Sequence, residues 1–71
     1  RGDRAMITAE FMSAPVGIIK IKVWSDQHHK EAIIKTFESC DEWAIDYTYC
    51  GAEKWVGSYQ AALDHLKKQG W

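Results

Sequence analysis

The sequence lacks an excess of charge of either sign. Nine lysines and arginines stand against ten aspartates and glutamates, which gives a net charge of −1. Binding of nucleic acid or of an anionic membrane through the overall field of a protein requires a clear positive excess. That mode of binding is therefore excluded, and only a local basic patch could serve the same purpose.

Long apolar runs are also missing. No stretch approaches the roughly 18 consecutive apolar residues that a membrane-spanning helix needs. No basic segment followed by an apolar one marks a secretory leader either. We therefore expect a soluble, cytoplasmic protein that has no membrane partner.

Cysteine is scarce, with Cys40 and Cys50 as its two occurrences. If residues 42–49 form one extended strand, the two thiols lie on the order of 25 Å apart at about 3.3 Å per residue. A disulfide needs Cα atoms within about 7 Å of each other. The spacing does not match the close cysteine pairs of structural zinc sites. We expect two free thiols.

Signatures of catalysis and of metal binding are weak. Cys50 precedes a glycine and a predicted helix start, an arrangement that can activate a thiolate. The only arginines that could hold a phosphate beside it are Arg1 and Arg4, far upstream. His28 and His29 would point about 100° apart on a helix, and no third ligand is identifiable. The sequence predicts no enzyme, no metal site and no cofactor.

What the sequence does contain is aromatic bulk in a short chain. Seventy-one residues make one domain, and such a domain buries only about 60% of the surface of its unfolded chain. Four tryptophans, three tyrosines and two phenylalanines supply large side chains that can close a small core. No resemblance to a known family stands out.

The domain is expected to occupy residues 12–71. The chain does not begin with methionine, whereas Met12 and Ser13 would make an ordinary translation start. Residues 1–11 are therefore interpreted either as an extension derived from cloning or as an additional edge strand.

The strongest local signal is the β-branched run from Val16 to Trp24. Its apolar and polar side chains alternate, as in a strand with one buried face. Ile19, Ile21 and Val23 form the predicted core face. The opposite face carries Ile18, Lys20, Lys22 and Trp24.

A helix is predicted to follow this strand. Ser25 or Asp26 can act as the N-cap, because its side-chain oxygen can accept hydrogen bonds from free backbone N–H groups. Apolar residues then recur at helical spacing as far as about Glu38 or Ser39. These residues are His29, Ile33, Ile34 and Phe37.

A second strand is predicted after Glu42. Trp43, Ile45, Tyr47 and Tyr49 share one face of it, and Ala44, Asp46, Thr48 and Cys50 share the other. A helix between two strands is the connection typical of a parallel βαβ unit.

The end of the chain predicts one more helix. Gly51 to Gly57 breaks the alternation, and Ser58 can cap the helix that follows. Tyr59, Ala62, Leu63 and Leu66 fall at helical spacing. Gly70 suits the left-handed position after the helix, which would bring Trp71 against Leu66 in a Schellman motif.

These elements predict an α+β fold. It is a two-layer sandwich, βαβα or ββαβα, in which two helices pack on one face of a small sheet that contains a parallel βαβ unit. Two strands alone make a poor sheet, so its other face needs a further strand or a second copy of the chain.

That uncovered face carries the functional hypothesis. Its predicted interaction residues are Ile18, Lys20, Lys22, Trp24 and Asp46. Because tryptophan is enriched at interaction hot spots, we expect a small non-enzymatic accessory or regulatory protein. It would bind a protein partner, or itself as a homodimer. The alternative is a nucleic-acid-binding module that uses Lys20, Lys22 and Trp24 as a stacking platform, although Asp46 opposes it.

Overall fold

An antiparallel meander of five strands makes up most of the molecule. The computed structural model describes residues 7–25 and 30–71. The elements in chain order are β1 (Ile7–Met12), β2 (Ile18–Ser25), β3 (Lys30–Phe37), β4 (Trp43–Tyr47), β5 (Ala52–Val56) and α1 (Tyr59–Lys68). The strands lie side by side in this same order, and each pairs antiparallel with the next. All of the observed strand connections are therefore hairpins.

The predicted parallel βαβ unit with two helices is wrong. Neighbouring strands are antiparallel throughout, and α1 is the only helix in the described part of the chain. The error lies in residues 30–37, which form β3 and not a helix. Of the two N-caps predicted for that helix, Ser25 is instead the last residue of β2, whereas Asp26, like His29, falls outside the described residues.

β3 is a strand because its residues also satisfy an alternating pattern. Ala32, Ile34 and Thr36 are buried, while Ile33 and Lys35 point to the opposite side. Isoleucine and threonine are stiff at χ1, which favours strands over helices. Pairing with β2 along eight residues then decides the conformation.

The segment from Gly51 to Gly57, predicted to be irregular, contains β5. This strand pairs with β4 at one edge of the sheet, with Trp43 opposite Val56 and Tyr47 opposite Ala52. Four of its five residues are exposed. An edge strand of this kind has no buried face, so its sequence lacks the alternation by which strands are predicted.

The predicted inner faces of β2 and β4 are largely correct. Ile21 and Val23 are buried on the side that faces α1, and so are Ile45 and Tyr47. Ile19, on the same side of β2, remains 42% exposed.

The C-terminal helix is confirmed in detail. The Ser58 hydroxyl accepts a hydrogen bond from the Ala61 backbone N–H at 3.1 Å. At the other end Gly70 has a φ of 92°, and the Trp71 N–H donates to the Leu66 carbonyl at 3.2 Å. This is the Schellman geometry that the sequence predicts.

Trp71 closes the core between α1 and the sheet. Only 1% of its surface is exposed, and its ring meets that of Tyr47 edge to face at 6.2 Å. Leu66 and Ala62 lie beside it, fully buried. The helix is therefore fixed over β4 by Trp71, two residues after its C-cap at Gln69.

Replacing Trp71 with alanine should lower the free energy of unfolding by about 3–5 kcal/mol, because it leaves a large cavity in a small core. Urea denaturation followed by circular dichroism measures the loss. Trp55→Ala is the matched control, since Trp55 lies on β5 and is 43% exposed. Equal losses for the two variants would show that Trp71 does not hold the helix.

Candidate functional site

The outer face, defined as the side of the sheet opposite α1, carries all five interaction residues predicted from the sequence. Ile18, Lys20, Lys22 and Trp24 project there from β2, and Asp46 from β4. The sequence places β2 and β4 as neighbours, whereas β3 lies between them. Lys22 is therefore opposite Ile33, and Ile33 is opposite Asp46.

Most charges of the outer face are paired within the chain. Lys22 Nζ lies 3.1 Å from Glu31 Oε2. Lys35 Nζ lies 3.9 Å from Asp46 Oδ2 and 3.6 Å from Glu53 Oε2. Lys35 is missing from the predicted site because residues 30–37 were assigned to a helix. In the structure it is the central cation of the face.

The outer face is not a basic patch. Its charged residues, by strand register, are Lys20, Lys22 and Lys35 against Glu10, Glu31, Asp46 and Glu53. Within the described residues, three positive charges on this face are outnumbered by four negative ones. Phosphate binding needs uncompensated positive charge, so this arrangement opposes a nucleic-acid platform.

Aromatic rings lie at two places on this face. The Lys22 Nζ lies 5.7 Å from the centre of the Trp24 ring, within cation–π range. Phe37 and Trp55 stack with ring centroids 6.2 Å apart. Trp24 and Trp55 thus already have partners within the chain.

The side of the sheet that faces α1 is only partly covered. Five strands at about 4.8 Å spacing span roughly 20–24 Å, whereas a helix with its side chains is about 10 Å across. Because α1 packs over β4, the β1 end of the sheet lies beyond its reach.

A groove of about 500 Å³ occupies this uncovered end. Glu10 borders it, and its apolar lining consists of Ala9, Phe11, Ile19, Ile21, Trp43 and Tyr59. We call it the β1–β2 groove. Sequence reasoning missed it, because two helices were expected to cover the whole of this side.

Large apolar side chains stay exposed in the β1–β2 groove. Phe11 is 79% exposed and Ile19 is 42% exposed. On the helix side, Trp43 and Tyr59 form a wall with their ring centroids 5.4 Å apart. A continuous exposed apolar strip next to a concave wall is typical of an interaction site.

An aromatic cluster at the opposite end has a structural role. Tyr47, Tyr49 and Trp71 are in mutual ring contact, and Lys30 Nζ lies 5.5 Å from the Tyr49 ring centre. The Tyr47 hydroxyl donates to Gln69 Oε1 at 3.0 Å, which ties the end of α1 to β4. Burial raises the pKa of Tyr47 above its ordinary value of 10.0.

The cysteines are both free, as the sequence predicts. Cys50 is exposed, but it lies in the turn between β4 and β5, where its N–H donates to the Tyr47 carbonyl at 3.3 Å. The prediction that Cys50 lies at a strand-to-helix junction, where its thiolate would be activated, is therefore wrong.

Within residues 7–25 and 30–71, no cluster of histidine, cysteine or acidic side chains could hold a metal ion. His28 and His29 lie outside the described residues. No helix in the described ranges has the length and apolarity needed to cross a membrane.

Comparison with known proteins found no matching family model, no similar curated protein and no similar solved structure.

The raised pKa of Tyr47 predicts a pH dependence of stability. The folded state holds the phenol proton more tightly than the unfolded chain does, so this stabilisation is present below pH 10 and is lost as the pH rises above it. Tyr47→Phe should lower the free energy of unfolding by about 1 kcal/mol at pH 7, through loss of the bond to Gln69. The difference in free energy of unfolding between the variant and the unmodified protein should become smaller above pH 10.

Urea denaturation at pH 7 to 11 checks this expectation. Tyr59→Phe is the control, since the ring of Tyr59 packs against Trp43 and lies outside the cluster of Tyr47. If the difference in free energy of unfolding stays constant or grows between pH 9 and 11, the pKa of Tyr47 is not raised in the folded state.

Proposed function

We propose that the protein is a small non-enzymatic module that acts by binding another protein through the β1–β2 groove. The observation that supports this most directly is the exposure of Phe11 and Ile19 beside the wall of Trp43 and Tyr59. Burying such side chains on association contributes roughly 25 cal/mol for each Å² of apolar surface removed from water.

The chemistry of the groove favours a protein over a nucleic acid. Among the described residues that line it, Glu10 is the one with a charge, and none is a lysine. A phosphate backbone would meet a carboxylate there and no cation. An apolar or aromatic side chain of a partner protein finds a matching surface.

The outer face is the weaker surface, because its predicted residues are engaged within the chain. Lys22 and Asp46 take part in ion pairs, and Trp24 lies against Lys22. A partner would have to replace these contacts before it gained any. The alternative of nucleic-acid binding through Lys20, Lys22 and Trp24 depends on this face and is disfavoured by its four carboxylates.

Photo-crosslinking tests the proposed surface. A benzophenone amino acid is introduced at Phe11 in the groove, at Trp24 on the outer face or at Tyr49 in the aromatic cluster. Each full-length variant is irradiated in cells of the organism that produces the protein. We expect a discrete adduct from position 11 that protease destroys and nuclease leaves intact, and little adduct from positions 24 and 49.

Two results would contradict the proposal. An adduct from position 24 alone would move the binding surface to the outer face. An adduct that nuclease removes would establish the nucleic-acid alternative. Addition of Ile19→Glu to the position 11 variant is the matched control, since it should abolish the groove adduct by placing a charge in the apolar strip.

A further inference from the structure

β1 pairs with the edge of β2 and makes few other contacts with the domain. We call this edge of β2, with the side chains on its two faces, the β2 edge. In the part of the chain that the structure describes, β1 is hydrogen-bonded to β2 and to no other strand. Five of its six residues are exposed. Every strand residue of the buried core cluster belongs to β2, β3 or β4, and from β1 only Ile7 packs against it, partly buried.

The two faces of the β2 edge carry different side chains. Towards α1, Phe11 is opposite Ile21 and Ala9 is opposite Val23, so this side selects apolar residues. Towards the outer face, Glu10 is opposite Lys22, and Met12 is opposite Lys20. An acidic residue therefore faces one of the two lysines, and the second lysine faces a methionine.

Lys20, on the β2 edge, has no acidic residue opposite it on β1. It makes no ion pair with any residue in the described ranges, in contrast to Lys22 and Lys35. Opposite charges across paired strands contribute up to about 1 kcal/mol. A strand with acidic residues opposite both Lys20 and Lys22 would therefore pair with the β2 edge more favourably than β1 does.

We propose that the β2 edge is a strand-acceptor site for an extended, acidic segment of a partner protein. Apolar residues of that segment would face Ile21 and Val23, and carboxylates would face Lys20 and Lys22. The segment replaces β1 and adds to the sheet by main-chain hydrogen bonds, which supply affinity while the alternating side chains supply specificity. The inference rests on the proposed function, since it concerns the same end of the sheet. When the segment replaces β1, its own apolar residues take the places of Ala9 and Phe11 in the β1–β2 groove.

The opposite edge does not offer an equivalent site. β5 carries Glu53 on its outer side and Lys54 on the side of α1. Charges on both sides of an edge strand are a common device against pairing with other chains. The side of β1 and β2 that faces α1 carries no charge among Ala9, Phe11, Ile19 and Ile21.

The test uses three synthetic peptides with the sequences MITAEFES, MITAEFMS and MITAKFKS. The second is the sequence of residues 6–13, the first adds an acid opposite Lys20, and the third places lysines opposite Lys20 and Lys22. Binding of the labelled peptides is measured by fluorescence anisotropy to the full chain carrying Ala9→Pro and Glu10→Pro. The backbone N–H groups of neighbouring strand residues point to opposite edges of the strand. One of the two prolines therefore replaces a residue whose N–H donates to β2, and this removes a hydrogen bond that holds β1.

We expect the acidic peptide to bind about two- to fivefold more tightly than the native sequence, and the basic peptide to bind least. Lys20→Glu in the same protein should reverse the order of the acidic and native peptides, because these two differ only at the position opposite residue 20. Lys54→Glu on β5 is the matched control and should leave all three affinities unchanged. Equal binding of the three peptides, or no binding to a variant that circular dichroism shows to be folded, would overturn the proposal.

Fluorine NMR provides a second measurement on the chain without substitutions, should the proline variant not fold. The protein has two phenylalanines, Phe11 on β1 and Phe37 on β3. Labelled with fluorophenylalanine, the Phe11 resonance should move to its free-peptide position as the acidic peptide saturates, while Phe37 stays at its folded position. A Phe11 resonance that does not move would overturn strand replacement.

The two proposals can fail separately. A crosslinked protein adduct at position 11 together with no peptide binding would retain the groove as an interaction site and discard the strand-acceptor mechanism. Peptide binding without any adduct would retain the acceptor site and discard the groove as the surface used in the cell.

Discussion

The width of the sheet relative to α1 determines most of this structure. A helix of ten residues is about 15 Å long and about 10 Å across, so α1, packed over β4, covers only part of a five-stranded sheet. The strands beneath it supply the buried core, and the strands beyond it keep exposed apolar residues. The position of the helix over β4 thus creates both the core and the β1–β2 groove.

That position depends on a few contacts at the end of α1. The left-handed turn at Gly70 directs Trp71 back under the helix, where it meets Tyr47. The Tyr47 hydroxyl then holds Gln69 from the sheet side. Without these contacts the helix could shift along the sheet, and the division between the covered and uncovered strands would be lost.

Local signals in the sequence predicted what depends on short-range chemistry. The alternation in β2 and β4, the Ser58 cap and the Schellman motif at Gly70 were all predicted correctly. β3 was predicted as a helix because its apolar residues fit both periodicities, and pairing with β2 decides between them only in the folded chain. β5 carries no alternation, since an exposed edge strand has no face to bury.

The candidate site could be predicted only in part for the same reason. The outer-face positions of Ile18, Lys20, Lys22 and Trp24 follow from the period of a strand. Neither the ion pairs that Lys35 makes across three strands nor the β1–β2 groove can be derived from local pattern. Both depend on which strands are neighbours and on how far one helix reaches.

The β1 end of the sheet is open, and among the described residues β1 contacts the core cluster through Ile7 alone. Amide hydrogen exchange of the full chain, resolved by strand with NMR, tests it most directly. The structure predicts that amides of β1 exchange through a local opening of lower free energy than those of β2, β3 and β4. Exchange of β1 at the same free energy as the core strands would contradict it.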